Sequence, residues 1–475
     1  MVRLTRLCHG LACVWLCLAC GCRLAEVAPA RVQAGPNIIF ILADDLGYGD
    51  LGCYGQQRIR TPRIDRLAAE GIRFTQAYAG STVCAPSRCV LMTGLHTGHC
   101  RVRGNGGAFP GSQALRPEDV TVARVLKEAG YTTALIGKWG LGDVGPAEAG
   151  LPLRQGFDTF YGYLSQTHAH NYYPTFLWRN DEKVALRNVV PDERPTGAGV
   201  ATERLDYSPD LMADEALAFI RRSKDRPFFL YFSPTLPHAN NEARNRGMEV
   251  PDLGGYAATD WPDPQKGHAA MVTRLDGYVG RILDLLKDLD LDDRTIVFFA
   301  SDNGPHREGG NDPGFNDSNG PLRGIKRDLY EGGVRVPFMA RWPKAIRAGQ
   351  VSDQVVWFAD VLPTAAAVAG TTGPAQVDGV DIIPALQGRI QEGLGERTLY
   401  WEFHEGGFKQ AVRQGHWKLV NLGAGRALEL YDLSAEIGET TDVAERNPDV
   451  VERLQAVLKA SRTETPDWPT RSDTR

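Results

Sequence analysis

The sequence predicts an α/β fold: a large, mostly parallel, doubly wound sheet flanked by helices, with a smaller C-terminal antiparallel sheet plus helix. Three observations carry this reading. Short, continuously apolar runs recur between Asn37 and Trp342, as expected of strands buried on both faces. Amphipathic helical patterns lie between those runs, which is the order of a parallel sheet with crossover helices. From Arg397 onward the texture changes to short alternating segments, which suit an antiparallel sheet.

The elements follow in order. Residues 37–43 (NIIFILA) form the first buried strand. Thr61-Pro62 opens a helix through Glu70, with Thr61 as N-cap, Pro62 in the first turn and Gly71 as terminator. Further buried strands are expected at 132–136, 228–232, 295–300 and 337–342, with helices at 120–129, 211–222 and 269–289. In the last of these, Val272, Leu275, Val279, Ile282, Leu283 and Leu286 share one face. Residues 179–199 are polar and irregular and read as an insertion or long loop. The Gly/Pro-containing stretch 370–395 marks a boundary, followed by short strands at 399–403, 410–413, 417–421 and 428–432 and a helix at 448–460. A catalytic domain is therefore expected over 36–390 and a small α+β subdomain over 396–462.

A chain of 475 residues can bury a sizeable core without disulfides. With 43% hydrophobic and 23% charged residues it has the composition of a soluble globular protein. The formal net charge of −5 excludes a nucleic-acid binder with a basic footprint. An anionic substrate must then be attracted locally, by a metal or cationic side chains. Arg3 and Arg6 precede the apolar run Leu11 to Ala19, so residues 1–30 read as a leader for export to the periplasm or extracellular space. Ala28-Pro29-Ala30 would give a soluble product, whereas a lipoprotein site would leave the chain membrane-anchored through Cys20 or Cys22. No stretch is long and apolar enough for a transmembrane span.

In open parallel sheets ligands bind beyond the carboxyl ends of the strands. The residues just after the predicted strands are Asp44-Asp45, Gly137-Lys138, Ser233 with His238, and Ser301-Asp302-Asn303. One sheet edge thus receives acids, an amide, a lysine and a histidine: a cation site beside an anion site. Asp44, Asp45, Asp302 and Asn303 offer only oxygen, which suits Ca²⁺ rather than zinc. One such pair alone is adequately read as a capped turn; two strand ends together favour a metal. Cys84-Ala85-Pro86-Ser87-Arg88 places Cys84 at a helix N-terminus, where amides and dipole favour negative charge. A buried structural cysteine and a thiolate nucleophile both fit that pentapeptide taken alone.

With these residues in hand, the chain resembles the formylglycine-dependent (type I) sulfatases of the alkaline-phosphatase-like superfamily. The resemblance runs from Asn37 to the C-terminal helix and rests on Ala43-Asp44-Asp45, Cys84 to Arg88, Gly137-Lys138-Trp139, Ser301 to Gly304, and Gly324-Ile325-Lys326 with Glu331-Gly332-Gly333. It implies a sulfuric ester hydrolase in which Cys84 is oxidised to formylglycine by a formylglycine-generating enzyme, and whose hydrated gem-diol attacks sulfur. Asp44, Asp45, Asp302, Asn303 and residue 84 would hold calcium, Arg88 would stabilise the diol oxygen, and Lys138 and Lys326 would hold sulfate oxygens. His238 would protonate the leaving alcohol, and the covalent sulfate would leave by elimination. The family's usual Gly-Lys-Trp-His is here Gly-Lys-Trp-Gly, with Gly140 in place of a histidine that contacts the diol. His306 is the first candidate to replace it. A phosphatase or phosphodiesterase of the same superfamily, and a non-catalytic glycan-binding homologue, are the alternatives.

Residues 165–180 (SQTHAHNYYPTFLWRN) are rich in histidine, asparagine and aromatics, which suit either a sugar site or a packed surface loop. His168, His170 and Asn171 are the candidates for contact with a sulfated glycan. His96 and His99 read as structural, Cys89 and Cys100 as a pair that could be bridged, and Glu331-Gly332-Gly333 as a backbone turn near Lys326.

Overall fold

The structure, a computed structural model, describes residues 35–109, 111–145 and 147–470. The expected leader, with Arg3, Arg6, Cys20 and Cys22, lies outside the described residues. Among the described residues no helix is long and apolar enough to cross a membrane.

Ten strands form the main sheet. Across it they run Gln350–Ser352, Ile72–Phe74, Phe338–Arg341, Thr295–Ser301, Asn37–Ala43, Phe228–Ser233, Thr132–Lys138, Thr159–Tyr163, Phe176–Arg179 and Glu182–Ala185. The five from Thr295–Ser301 to Thr159–Tyr163 are mutually parallel, while Phe338–Arg341 pairs antiparallel on one side and Phe176–Arg179 on the other. Alternate residues of the central strand enter opposite cores: Ile38, Phe40 and Leu42 one, Ile39, Ile41 and Ala43 the other. This explains why its sequence is apolar without alternation. Helices Pro62–Ala69, Ser208–Ser223 and Asp263–Asp288 cover the second core, and Cys84–Thr93, Val122–Glu128 and Val361–Val368 the first.

A four-stranded antiparallel sheet follows, Thr398–Phe403, Lys409–Gln414, Trp417–Asn421 and Leu428–Asp432, with helix Pro448–Ala460 against it. Its attachment to the main domain is ionic as well as apolar. Lys418 Nζ lies 2.9 Å from both Glu331 Oε1 and Glu439 Oε1, all three buried. Tyr78 Oη donates to Glu331 Oε2 at 2.6 Å. Glu331 is therefore an ion-pair hub that ties Lys418 of the C-terminal sheet to Tyr78 of the main domain, in addition to its expected place in the backbone turn near Lys326.

Two further expectations change. Residues 176–185, partly assigned to an irregular insertion, form an antiparallel hairpin at the sheet edge, where exposed faces remove the apolar signal. Thr61 makes no side-chain cap to its helix; Asp276 Oδ1 accepts the Arg63 and Ile64 amides instead, at 2.8 and 2.7 Å.

Candidate active site

The carboxyl ends of the parallel strands bring the predicted residues together. Asp44 and Asp45 end the central strand, and Asp45 takes a positive φ of 65°. That turn aims its amide at Asp302 Oδ1, 3.0 Å away. Asn303 Nδ2 donates to Asp45 Oδ1 at 2.7 Å. Asp44, Asp45, Asp302 and Asn303 are all fully buried. Lys326 comes from a distant loop, and glycines make its approach possible. A Cβ on Gly304 would fall 1.9 Å from the Gly332 carbonyl, and one on Gly332 would fall 2.1 Å from that of Gly324. The Asp302-Asn303-Gly304 and Gly324-Ile325-Lys326 motifs are thus packed backbone to backbone through Glu331-Gly332-Gly333.

Cys84 starts the helix Cys84–Thr93, every residue of which is buried. Its N-cap, Val83, has no capping side chain, so Asn105 Oδ1 accepts the Ala85 amide instead at 3.1 Å. Arg88, one turn on, donates through Nε and Nη2 to Asp302 Oδ2 at 3.0 and 2.7 Å. Its Nη1 donates to the Lys138 carbonyl at 2.9 Å and to Ser233 Oγ. Arg88 therefore fixes the Asp302 carboxylate, a role Lys could not fill with the same fork.

Each lysine neutralises one carboxylate of the adjacent pair: Lys138 Nζ lies 2.8 Å from Asp44 Oδ2, and Lys326 Nζ 2.8 Å from Asp45 Oδ2. Lys326 Nζ also reaches Glu308 Oε2 at 3.0 Å and His238 Nε2 at 3.2 Å. Burial opposes ionisation of Asp44 and Asp45, but the lysines outweigh it and hold both well below the usual carboxylate range. Asp302 is pushed the other way, to about 7, by burial and by the Asp44 charge. Three acids this close and this dry are stable together only with added positive charge.

One observation fits a hard cation: Asp44 Oδ1 and Asn303 Oδ1 are buried and have no hydrogen-bond partner. Asp44 and Asp45 also converge with Cys84 and His238, their ligand atoms all within 4.8 Å of one another. Buried oxygens left unpaired cost about 1–3 kcal/mol each unless something occupies the site. Burial, opposed only in part by Lys138 and Lys326, pushes the Cys84 thiol up to about 12. That upward shift weighs against a thiolate nucleophile in the site as described.

His238 donates from Nδ1 to the Ala239 carbonyl at 2.7 Å, so the neutral ring presents Nε2 as an acceptor toward Lys326. Burial, reinforced by Lys326, lowers its pKa to about 3. His170 stacks on it at 5.1 Å and 12°, with Nδ1 3.1 Å from Glu242 Oε2. His170 thus lies beside the reacting centre. His168 and Asn171 are placed differently. His168 is buried, packed on Tyr163 and Phe176, with Nε2 3.1 Å from the Phe176 carbonyl. Asn171 is spent on the Gly197 carbonyl and the Tyr173 amide. Both hold the loop together rather than line the site, because burial leaves them no surface to offer a sugar.

His306 is likewise corrected as a replacement at Gly140. Its Nδ1 accepts the Glu308 amide at 3.0 Å and its Nε2 donates to the Pro237 carbonyl at 3.1 Å, leaving neither nitrogen free. It buttresses His238, 6.0 Å away, and positions Glu308. His96 and His99 stack on each other and share Asp378 below the nucleophile helix. Cys89 and Cys100 are buried free thiols, Cys100 donating to the Val102 carbonyl, so the bridge considered for them is not formed. Sequence reasoning missed Glu308 and Asn105, both on irregular segments without periodic signal; the spacing of Glu308 two residues after His306 was the one available hint.

Comparison with known proteins agrees with this geometry. The sulfatase family profile matches residues 36–371, and an N-sulphoglucosamine sulphohydrolase C-terminal profile matches residues 325–464. The chain is 31% identical to steryl-sulfatase of Mus musculus, covering 92% of this chain and 84% of that one. It is 32% identical to an N-acetylgalactosamine-6-O-sulfatase of Bacteroides thetaiotaomicron, covering 90% and 93%. Among solved structures, Ps i-CgsB in complex with a neocarrahexaose superposes with a TM-score of 0.77 at 29% identity, covering 92% of this chain and 95% of that one. The chain belongs to the type I, formylglycine-dependent sulfatases of the alkaline-phosphatase-like superfamily, and is a sulfuric ester hydrolase.

Proposed function

We propose that the chain hydrolyses sulfate esters of a carbohydrate, with Cys84 matured to formylglycine and calcium held by Asp44, Asp45, Asp302, Asn303 and residue 84. The observation that carries this reading is the pair of unpartnered buried oxygens, Asp44 Oδ1 and Asn303 Oδ1, in the same buried site as Cys84 and its two lysines. When bound, calcium would add positive charge beside carboxylates already paired with Lys138, Lys326 and Arg88, and formylglycine would supply the nucleophile at residue 84. Lys138 Nζ and Lys326 Nζ are already desolvated and aimed by their carboxylates, so they bind ester oxygens without reorganising. Arg88 orients Asp302 throughout.

His238 Nε2, unprotonated in the free site, takes up a proton when the anionic ester binds and delivers it to the leaving alcohol. In the free site the ring is neutral, because burial and the Lys326 charge disfavour imidazolium. An anionic ester beside Lys326 offsets that charge and raises the affinity of Nε2 for a proton at the moment it is needed. The carbohydrate assignment is supported by two similar proteins, an N-acetylgalactosamine-6-O-sulfatase and Ps i-CgsB in complex with a neocarrahexaose, and by His170 and Glu242 beside His238. Calcium-loaded protein carrying formylglycine at residue 84 should hydrolyse aryl sulfate and prefer it to aryl phosphate. A preference for phosphate would overturn the reading.

A further inference from the structure

Gly140 follows Lys138 by two residues and has a φ of +78°, a conformation that L side chains rarely adopt. The segment is fixed there: the Trp139 amide donates to the Tyr163 carbonyl and the Gly140 amide to that of Leu164, both at 2.9 Å. The space that a side chain at 140 would need is already filled. A Cβ there would lie 2.2 Å from Gln166 Nε2 and 3.1 Å from its Cδ. Gly140 and Gln166 are thus a matched pair, the missing side chain of one making room for the amide of the other.

That amide is unusual within its segment. Residues 164–170 run from the end of strand Thr159–Tyr163, where Tyr163 pairs in register with Lys138 of the neighbouring strand, to His170, which stacks on His238. They therefore form one wall between a sulfate-side lysine and the proton-carrying histidine. The polar side chains of His168, His170 and Asn171 all have partners. Gln166 Nε2 is buried and has none. A buried donor without an acceptor is costly, and a structural glutamine would be expected to bond its own loop. The unmet donor points to a ligand acceptor.

We propose that Gln166 is a substrate-contacting residue whose Nε2 donates to an anionic oxygen of the sulfate group, occupying the place vacated at Gly140. The inference rests on the sulfatase reading and deepens it. An amide can donate but cannot take a proton at any working pH, so Gln166 binds and orients the sulfate without acting as a base. The proton removed when the product leaves must go to another group.

The test uses calcium-loaded protein with Cys84→Ser, which binds without turnover, and inorganic sulfate as the probe in calorimetry. Gln166→Met keeps the shape and removes the donor, Gln166→Ala removes both, and Gln166→Glu adds a charge that acid can discharge. Losing one hydrogen bond to a charged oxygen should weaken sulfate binding about 10-fold or more in the Met and Ala variants. The Glu variant should bind least at neutral pH and recover as pH falls toward the carboxylic range, a response that a merely structural glutamine would not produce. In the Cys84 background the Met variant should lose kcat/KM by a similar factor with an unchanged melting temperature. Sulfate affinity and kcat/KM within about twofold of the parent in the Met variant, well under the factor one hydrogen bond predicts, would overturn the inference while leaving the sulfatase reading intact. A parent protein that neither binds sulfate nor cleaves aryl sulfate would defeat that reading itself.

Discussion

Replacing Lys326 by Met tests the charge arrangement at its centre. The side chain is 4% exposed, and its ammonium meets Asp45 Oδ2 at 2.8 Å, Glu308 Oε2 at 3.0 Å and His238 Nε2 at 3.2 Å. Methionine fills similar volume, so the loss is electrostatic rather than a cavity. Removing one partner of a buried ion pair costs about 3–5 kcal/mol, because the other charge stays buried and unpaired. At ~2.1 cal/mol/K per residue the unfolding entropy of a 475-residue chain is ~1 kcal/mol/K. The melting temperature should therefore fall by about 3–5 °C. The catalytic loss should be larger in proportion: a preorganised cation at a developing negative charge is worth about 10²–10³ in rate. The assay is aryl sulfate turnover with calcium saturating, alongside thermal unfolding of the same preparation. Turnover within a few-fold of the parent, with unchanged melting, would show that Lys326 neither balances Asp45 nor holds the ester.

Two other outcomes follow from the same geometry. Chelating calcium should abolish turnover and lower the melting temperature, since Asp44 Oδ1 and Asn303 Oδ1 are then left buried without a partner; calcium should restore both better than magnesium, which demands tighter octahedral geometry. If chelation leaves melting and turnover untouched, the oxygen cluster is not a metal site. His168, buried so that its pKa falls to about 3, contributes stability that is fully present above the unfolded value near 6.5 and is lost as pH falls through 3. His168→Gln should therefore flatten the decline of melting temperature with acid; an unchanged slope would contradict the neutral, buried ring.

How much of this was legible in the sequence follows from where each residue sits. Asp44, Lys138, His238 and Asp302 stand at or just beyond the ends of strands that announce themselves as apolar runs, so strand order alone placed them on one edge. Pro86 marked the helix that begins at Cys84. The strands Asn37–Ala43, Thr132–Lys138, Phe228–Ser233 and Thr295–Ser301 were read to within two residues because burial on both faces leaves an uninterrupted pattern. The interior strand Thr159–Tyr163, its run broken by Gly162, was not predicted. The strands Ile72–Phe74 and Gln350–Ser352, the outer two on one side of the sheet, are three residues each, too short to show a period. The roles of Gln166 and His306 depend on long-range packing of irregular loops, and no local pattern reports whether a histidine's nitrogens are already taken. His168 and Asn171 show the same limit from the other side, since a loop rich in polar aromatics looks identical whether its histidines face a sugar or the core.

The central claim is that Cys84 is not used as a thiol. Mass spectrometry of the peptide spanning Cys84, on active protein from a host able to make formylglycine, tests it most directly. The account predicts an aldehyde in place of the thiol, in a fraction that rises and falls with specific activity. An unmodified cysteine in a preparation that still cleaves aryl sulfates would contradict it.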